Sequence, residues 1–113
     1  MRLINLNKNT VLAEAALIAE TPFKRIKGLL GRKDFKAGQA LIIRPCNSIH
    51  TFFMRFPIDV LFLDKNNRIV KTVPSLKPYR ITPIYFSARL TIELPAGTIQ
   101  RSSTQEGDLI SFV

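Results

Sequence analysis

The chain has no tryptophan, and its 113 residues include one cysteine (Cys46), one histidine (His50) and five glycines. A lone cysteine cannot close an internal disulfide, so the fold is not a disulfide-built one and a reducing compartment is favoured. One His and one Cys, with neither CxxC nor HxxxH spacing, are too few for a structural zinc site; we expect no metal and no cofactor. No apolar run approaches the ~20 residues of a membrane helix. Residues 11–19 are the nearest to one, but Glu14 interrupts them and makes them a poor signal-peptide core. The expectation is a cytoplasmic chain without a membrane span, a monomer or weak dimer.

Acidic residues are also scarce. Eight Asp and Glu stand against 17 Lys and Arg, a formal charge of +9. A field of that sign attracts anions: phosphate, nucleic acid or anionic lipid. The basic residues are spread along the chain, as on an ordinary solvated surface, with one local cluster at Lys24, Arg25, Lys27, Arg32, Lys33 and Lys36.

What is present is a succession of short apolar runs separated by turn residues. Residues 3–7, 11–19, 40–44, 48–55, 58–63, 68–73, 88–94 and 109–113 read as strands. Asn67 suits the left-handed position of a hairpin connection over 64–68. Prolines 74, 78 and 83 make 74–84 irregular. Thr21-Pro22 can open a helix, with Thr as cap and Pro at the first position, and Phe23, Ile26 and Leu30 on one face of it. Gly28 would lie on that helix and Gly31 would end it. The pattern predicts a mainly β single domain over 1–113, a β-sandwich or small β-barrel with one short helix at about residues 22–30.

Chemistry-bearing residues concentrate in 45–59. On an extended strand over 48–55, His50 and Met54 share one face, Thr51 and Arg55 the other. Four residues of strand separate Cys46 from His50 by ~13 Å, too far for a nucleophile–base pair. The candidate site is therefore a polar pocket: His50, Thr51, Arg55 and Asp59, walled by Met54 and Phe52, with Arg32 and Glu93 as neighbours. Its expected ligand is a small anion or an acidic partner, given the positive charge. Arg55 and Asp59 could instead form an ion pair across the Phe56-Pro57 bend. Two alternatives remain open. Aromatics interleaved with basic residues (52–56, and Tyr79-Arg80) suit single-stranded nucleic acid, a partner not favoured here. A small enzyme would use His50 and Asp59.

The run Cys46-x-x-Ile49-His50-Thr51-Phe52-x-Met54-Arg55-x-Pro57-Ile58-Asp59-Val60-x-Phe62-x-Asp64 resembles the signature of the domain-of-unknown-function family 192. Three further segments resemble it too: Ala19-Glu20-Thr21-Pro22 followed by Arg25, Gly28, Leu29, Leu30 and Arg32; Leu94-Pro95-Ala96-Gly97-Thr98; and Glu106-Gly107-Asp108. The resemblance covers residues 11–113. It implies a compact, mostly β domain with one short helix and no established activity, substrate or cofactor. Members with Ser-Phe-Trp-Met in the central motif leave Met54, Pro57, Ile58 and Asp59 as its better-shared positions.

Overall fold

β-Branched and aliphatic runs pair into two sheets in a computed structural model that describes the backbone of all 113 residues and every side chain except that of Ile26. The strands are β1 (Leu3–Asn5), β2 (Thr10–Ala13), β3 (Ala15–Ala19), β4 (Gln39–Ile43), β5 (Ile58–Leu63), β6 (Ile69–Leu76), β7 (Leu90–Pro95) and β8 (Ile110–Phe112). The helices are α1 (Pro22–Lys27) and α2 (Thr98–Ser102). A three-stranded sheet runs β2-β1-β8, and a five-stranded sheet runs β3-β4-β7-β5-β6. Neither closes on itself among the described residues, so the expected choice between sandwich and barrel resolves to a sandwich-like fold.

The five-stranded sheet is apolar on both faces. Every residue of β5 and β7 is buried, which suits central strands covered on both sides. Leu61, Leu63, Leu90, Ile92 and Leu94 pack with Leu3, Leu12, Ile110 and Ile99 in a core shared with the small sheet and α2. Alternate residues Ile58, Val60 and Phe62 point the other way, into a core with Leu29, Ile49, Met54 and Ala88. This second core is roofed by α1 and loops rather than by a sheet, and it positions the site.

Several expectations change. The apolar stretch over residues 11–19 is two strands in different sheets, separated at Glu14. The helix begins as expected, with the Lys24 amide donating to Thr21 Oγ1 (3.1 Å), but Gly28 ends it, at φ +46° and ψ −123°. Only glycine adopts that conformation readily, so the helix stops one turn early. Phe23 is exposed, Leu29 supplies the buried contact instead, and the expectation for Ile26 lies outside the described residues. A second helix, α2, which the pattern did not predict, follows a turn at Ala96-Gly97. Residues 48–55 are not a strand. They form a looped segment, with a single bridge from His50 to Ile81 and turns at 52–53. Asn67 is left-handed (φ +63°) in its hairpin, as expected, whereas β6 continues through Pro74 because it is an edge strand.

Candidate functional site

Gly28 and Leu29 form a wall between two clefts on the α1 side of the large sheet. The first, about 330 Å³, lies between α1 and residues 43–50. Arg25, Lys27 and His50 stand on its rim; Leu29, Leu30, Ile43 and Ile49 make its apolar lining; Cys46, Asn47 and Ser48 add polar atoms. The second, about 360 Å³, lies against β3, with Lys24, Lys27 and Arg32 beside Leu17, Ile18 and Leu41. Among the described residues no carboxylate lines either cleft. Both are of a size for small ligands.

The loop that builds the first cleft is held by a ribbon of hydrogen bonds. The Tyr85 amide donates to Asn47 O (2.9 Å), that of Thr82 to Ile49 O (2.9 Å) and that of Thr51 to Arg80 O (2.8 Å). The Ile49 amide donates to Thr82 Oγ1 (3.0 Å). Cys46 Sγ–H turns to Ser48 O (3.2 Å), not to His50. His50 is exposed; its Nδ1 accepts from the Phe52 amide (3.3 Å), and its ring stacks on Phe52 at 5.2 Å.

The sequence-expected residues disperse. His50 is at the cleft. Thr51 is fully buried beside it, its hydroxyl donating to Lys77 O (2.6 Å) and accepting from the Arg80 amide (2.9 Å). Met54 is in the second core. Arg55 is exposed and makes no ion pair among the described residues; in particular it does not pair with Asp59. Asp59 faces α2 instead. Its Oδ1 accepts from the Ser75 amide (2.9 Å), and its Oδ2 from Gly97 (3.1 Å) and Ile99 (2.8 Å). Gly97 has no side chain to cap α2, so the carboxylate of a distant strand does so. Arg32 lines the second cleft, its guanidinium donating to Gln39 Oε1 (3.3 Å) and lying 5.6 Å from the Phe35 ring centroid.

Glu93 lies beneath the wall between the clefts. A methyl group on Gly28 would sit 3.9 Å from its Oε1. That oxygen is buried and has no hydrogen-bond partner. Burial with nothing to hold the charge pushes the carboxyl up to about 8, so near neutrality it is a protonated acid. No cluster of three or more His, Cys, Asp or Glu side chains is arranged to hold a metal among the described residues.

Arg25, Lys27, Gly28, Ile43 and Ser48 escaped sequence reasoning. The signal for the first two was the basic cluster at 24–36, which reads as solvated surface until the α1 turn folds it over an apolar floor.

A family model described as "Uncharacterized ACR" (DUF192) matches residues 4–112. The chain belongs to the DUF192 family. The DUF192 chain is 37% identical over 115 residues to a UPF0127 protein of Pyrococcus horikoshii, covering 97% of each. It is 33% identical to a UPF0127 protein of Thermococcus kodakarensis, covering 97% of this chain and 72% of that one. A crystal structure of a Novosphingobium aromaticivorans protein of unknown function superposes with TM-score 0.87 at 18% identity, over 99% of this chain and 84% of that chain. One of a Sinorhizobium meliloti protein, provisionally described as a transcription regulator, does so with TM-score 0.83 at 21% identity, over 97% and 89%. These likenesses establish the fold of the DUF192 chain. Among its described residues, no helix is long and apolar enough to cross a membrane.

Proposed function

We propose that this DUF192 chain is a binding protein whose cleft between α1 and residues 43–50 takes a small anionic ligand with an apolar portion. What carries the reading is the lining: Arg25, Lys27 and His50 around Leu29, Leu30, Ile43 and Ile49, with no carboxylate among the described lining residues. Cations set around a low-dielectric floor focus the field and strengthen contacts to an entering anion. Ser48 and Asn47 supply neutral hydrogen-bonding groups that can fix orientation. Arg32 serves the neighbouring cleft in the same way. Glu93, under the Gly28 wall, is neutral near pH 7 and so does not oppose an anion there. Once it ionises, the added negative charge weakens binding, so affinity declines as pH rises through about 8.

Catalysis by His50 with Asp59 has no comparable support. Asp59 is committed to the amides at α2, while His50 lies on the loop ribbon.

A thermal-shift and calorimetric screen of phosphate monoesters and dicarboxylates tests the proposal. The expected result is saturable binding that Arg25→Ala/Lys27→Ala weakens about tenfold or more, the worth of one lost charged hydrogen bond. Absence of stabilisation by every anion tried, or equal binding by the double variant, overturns it.

A further inference from the structure

The loop ribbon has an outer side that neither core nor cleft uses. Phe53 is 72% exposed, Ile81 70%, Tyr79 56% and Phe52 40%. These side chains adjoin one another. The Phe53 and Tyr79 rings meet edge to face at 5.7 Å, Phe52 lies 6.4 Å from Tyr79, and His50, stacked on Phe52, bridges to Ile81. Ile84 and Phe86 extend the exposed apolar run along the same segment. Clusters of large apolar groups on a surface mark interaction sites.

The backbone adds a second, independent observation. Phe53 and Tyr79 both have positive φ, +65° and +61°. A bulky side chain in that region is strained, and Gly or Asn would be cheaper. Burying the rings would offset the strain, but these rings are exposed. The fold gains nothing evident from holding two aromatics outward in this way.

The charge around the patch narrows the partner. Residues 50–56 and 77–86 contain Arg55, Lys77 and Arg80 and no Asp or Glu. All three cations are exposed, and none makes an ion pair among the described residues. A second copy of the chain would set these cations against their own like. Nucleic-acid bases could stack on the rings, but Ile81 and Ile84 offer a base no face to stack on. An anionic bilayer satisfies both kinds of group: rings and aliphatic side chains enter the headgroup–acyl boundary, while Lys and Arg meet the headgroups.

We propose that the ribbon of residues 50–55 and 77–81 docks this chain on an anionic bilayer surface, with Phe53, Tyr79 and Ile81 entering the interface and Arg55, Lys77 and Arg80 meeting anionic headgroups. This goes beyond the cleft reading and does not depend on it.

Vesicle flotation tests the proposal. The wild-type chain should float with phosphatidylglycerol-containing vesicles, more weakly as salt rises, and remain behind with pure phosphatidylcholine. Phe53→Asn/Ile81→Thr should reduce the bound fraction about tenfold. Phe53→Asn alone should keep or raise Tm, because Asn tolerates the left-handed backbone. Because the chain has no tryptophan, Phe53→Trp gives a single reporter, whose emission should shift to the blue on the anionic vesicles. Arg25→Ala/Lys27→Ala, which damages the cleft, should leave the apolar contact in place and the blue shift intact. The inference is overturned if the wild-type chain ignores anionic vesicles or if the ribbon variant floats as well as wild type. It is equally overturned if the reporter responds to a single-stranded oligonucleotide but not to lipid. Concentration-dependent dimerisation lost in the ribbon variant, without vesicle binding, would assign the patch to a second copy instead.

Discussion

Asp59 and Glu93 are both almost fully buried, on the adjacent inner strands β5 and β7 of the same sheet, one register step apart. They face opposite ways. On the small-sheet side, Asp59 accepts three backbone amides and ties β6 and α2 to β5. On the α1 side, Glu93 has a buried oxygen with no partner and a carboxyl pushed up to about 8. A buried carboxylate with three amide donors is a structural clasp. One without any is a cost that the fold carries. The two faces of the sheet thus divide the labour. The face with regular elements and a satisfied carboxylate specifies the fold. The other, roofed by a six-residue helix and loops, holds the clefts, the exposed aromatics and the uncompensated acid.

The largest effect expected from breaking this contrast is that of Asp59→Ala. Three amides lose their acceptor at once, and each stranded buried donor costs about 1–3 kcal/mol. Some will find water, so the net loss should be on the order of 3–5 kcal/mol in urea unfolding. A loss under about 1 kcal/mol would mean that the clasp is dispensable and the division between faces false.

The next effect is a pH dependence with a defined sign. Between the ordinary Glu value of 4.5 and about 8, folded Glu93 keeps a proton that the unfolded chain has released. Unfolding then releases a proton, so raising the pH across this window lowers stability, by up to about 1.4 kcal/mol per unit. The total should be a few kcal/mol. Glu93→Gln should flatten the profile of Tm against pH and be the more stable form above pH 8. Asp108 supplies the opposite case. Burial pushes its carboxyl up, but hydrogen bonds from Asn5, Lys8 and the Gln105 amide, with the Lys8 charge, outweigh that and hold it below its ordinary 3.8. Its contribution is present above that value and is lost as pH falls through the lower folded value, so it does not obscure the Glu93 window.

The inner strands and the start of the roof helix were the parts legible in sequence. Alternation over 88–94 and the apolar run at 58–63 marked β7 and β5, and Thr21-Pro22 marked the start of α1. What alternation could not reveal was that Thr91 and Glu93, two of the three polar residues of the pattern, are buried as well. Period two reports which residues share a face, not whether the other face is covered. The segment 48–55 misled for a related reason. Its in–out alternation at Ile49, His50 and Thr51 is real, but it pairs with segment 79–85, interrupted by Pro83, which has too few ladder bonds to make a sheet. The site was legible only as a neighbourhood. His50 marks one lip of the cleft, while the opposite lip comes from α1, distant in sequence, and Asp59 belongs to the other side of the sheet.

Gly28→Ala sharpens the comparison at the roof of the Glu93 face. The added methyl would lie 3.8 Å from Arg25 O and 3.9 Å from Glu93 Oε1, which is ordinary contact. The cost therefore comes from φ +46° and should be about 1–3 kcal/mol. If shielding of Glu93 depends on this turn, displacement of the roof should also hydrate the carboxyl and move the pH profile toward acid. A loss of stability with an unmoved profile would show that the turn and the acid are independent.

The smallest expected effect is on stability in the cleft variants. Arg25 is half-buried, its guanidinium donating to the Glu20 carbonyl (3.3 Å), and Lys27 is exposed; among the described residues neither is in an ion pair. Truncating both should change the unfolding free energy by no more than about 0.5 kcal/mol, as for surface residues without a specific partner. The change could even be stabilising, since it relieves two units of self-repulsion in a chain of charge +9. A large loss of stability would mean that these cations are part of the roof. A negligible loss, with anion binding abolished, would mean that the α1 face carries groups whose retention folding alone does not explain.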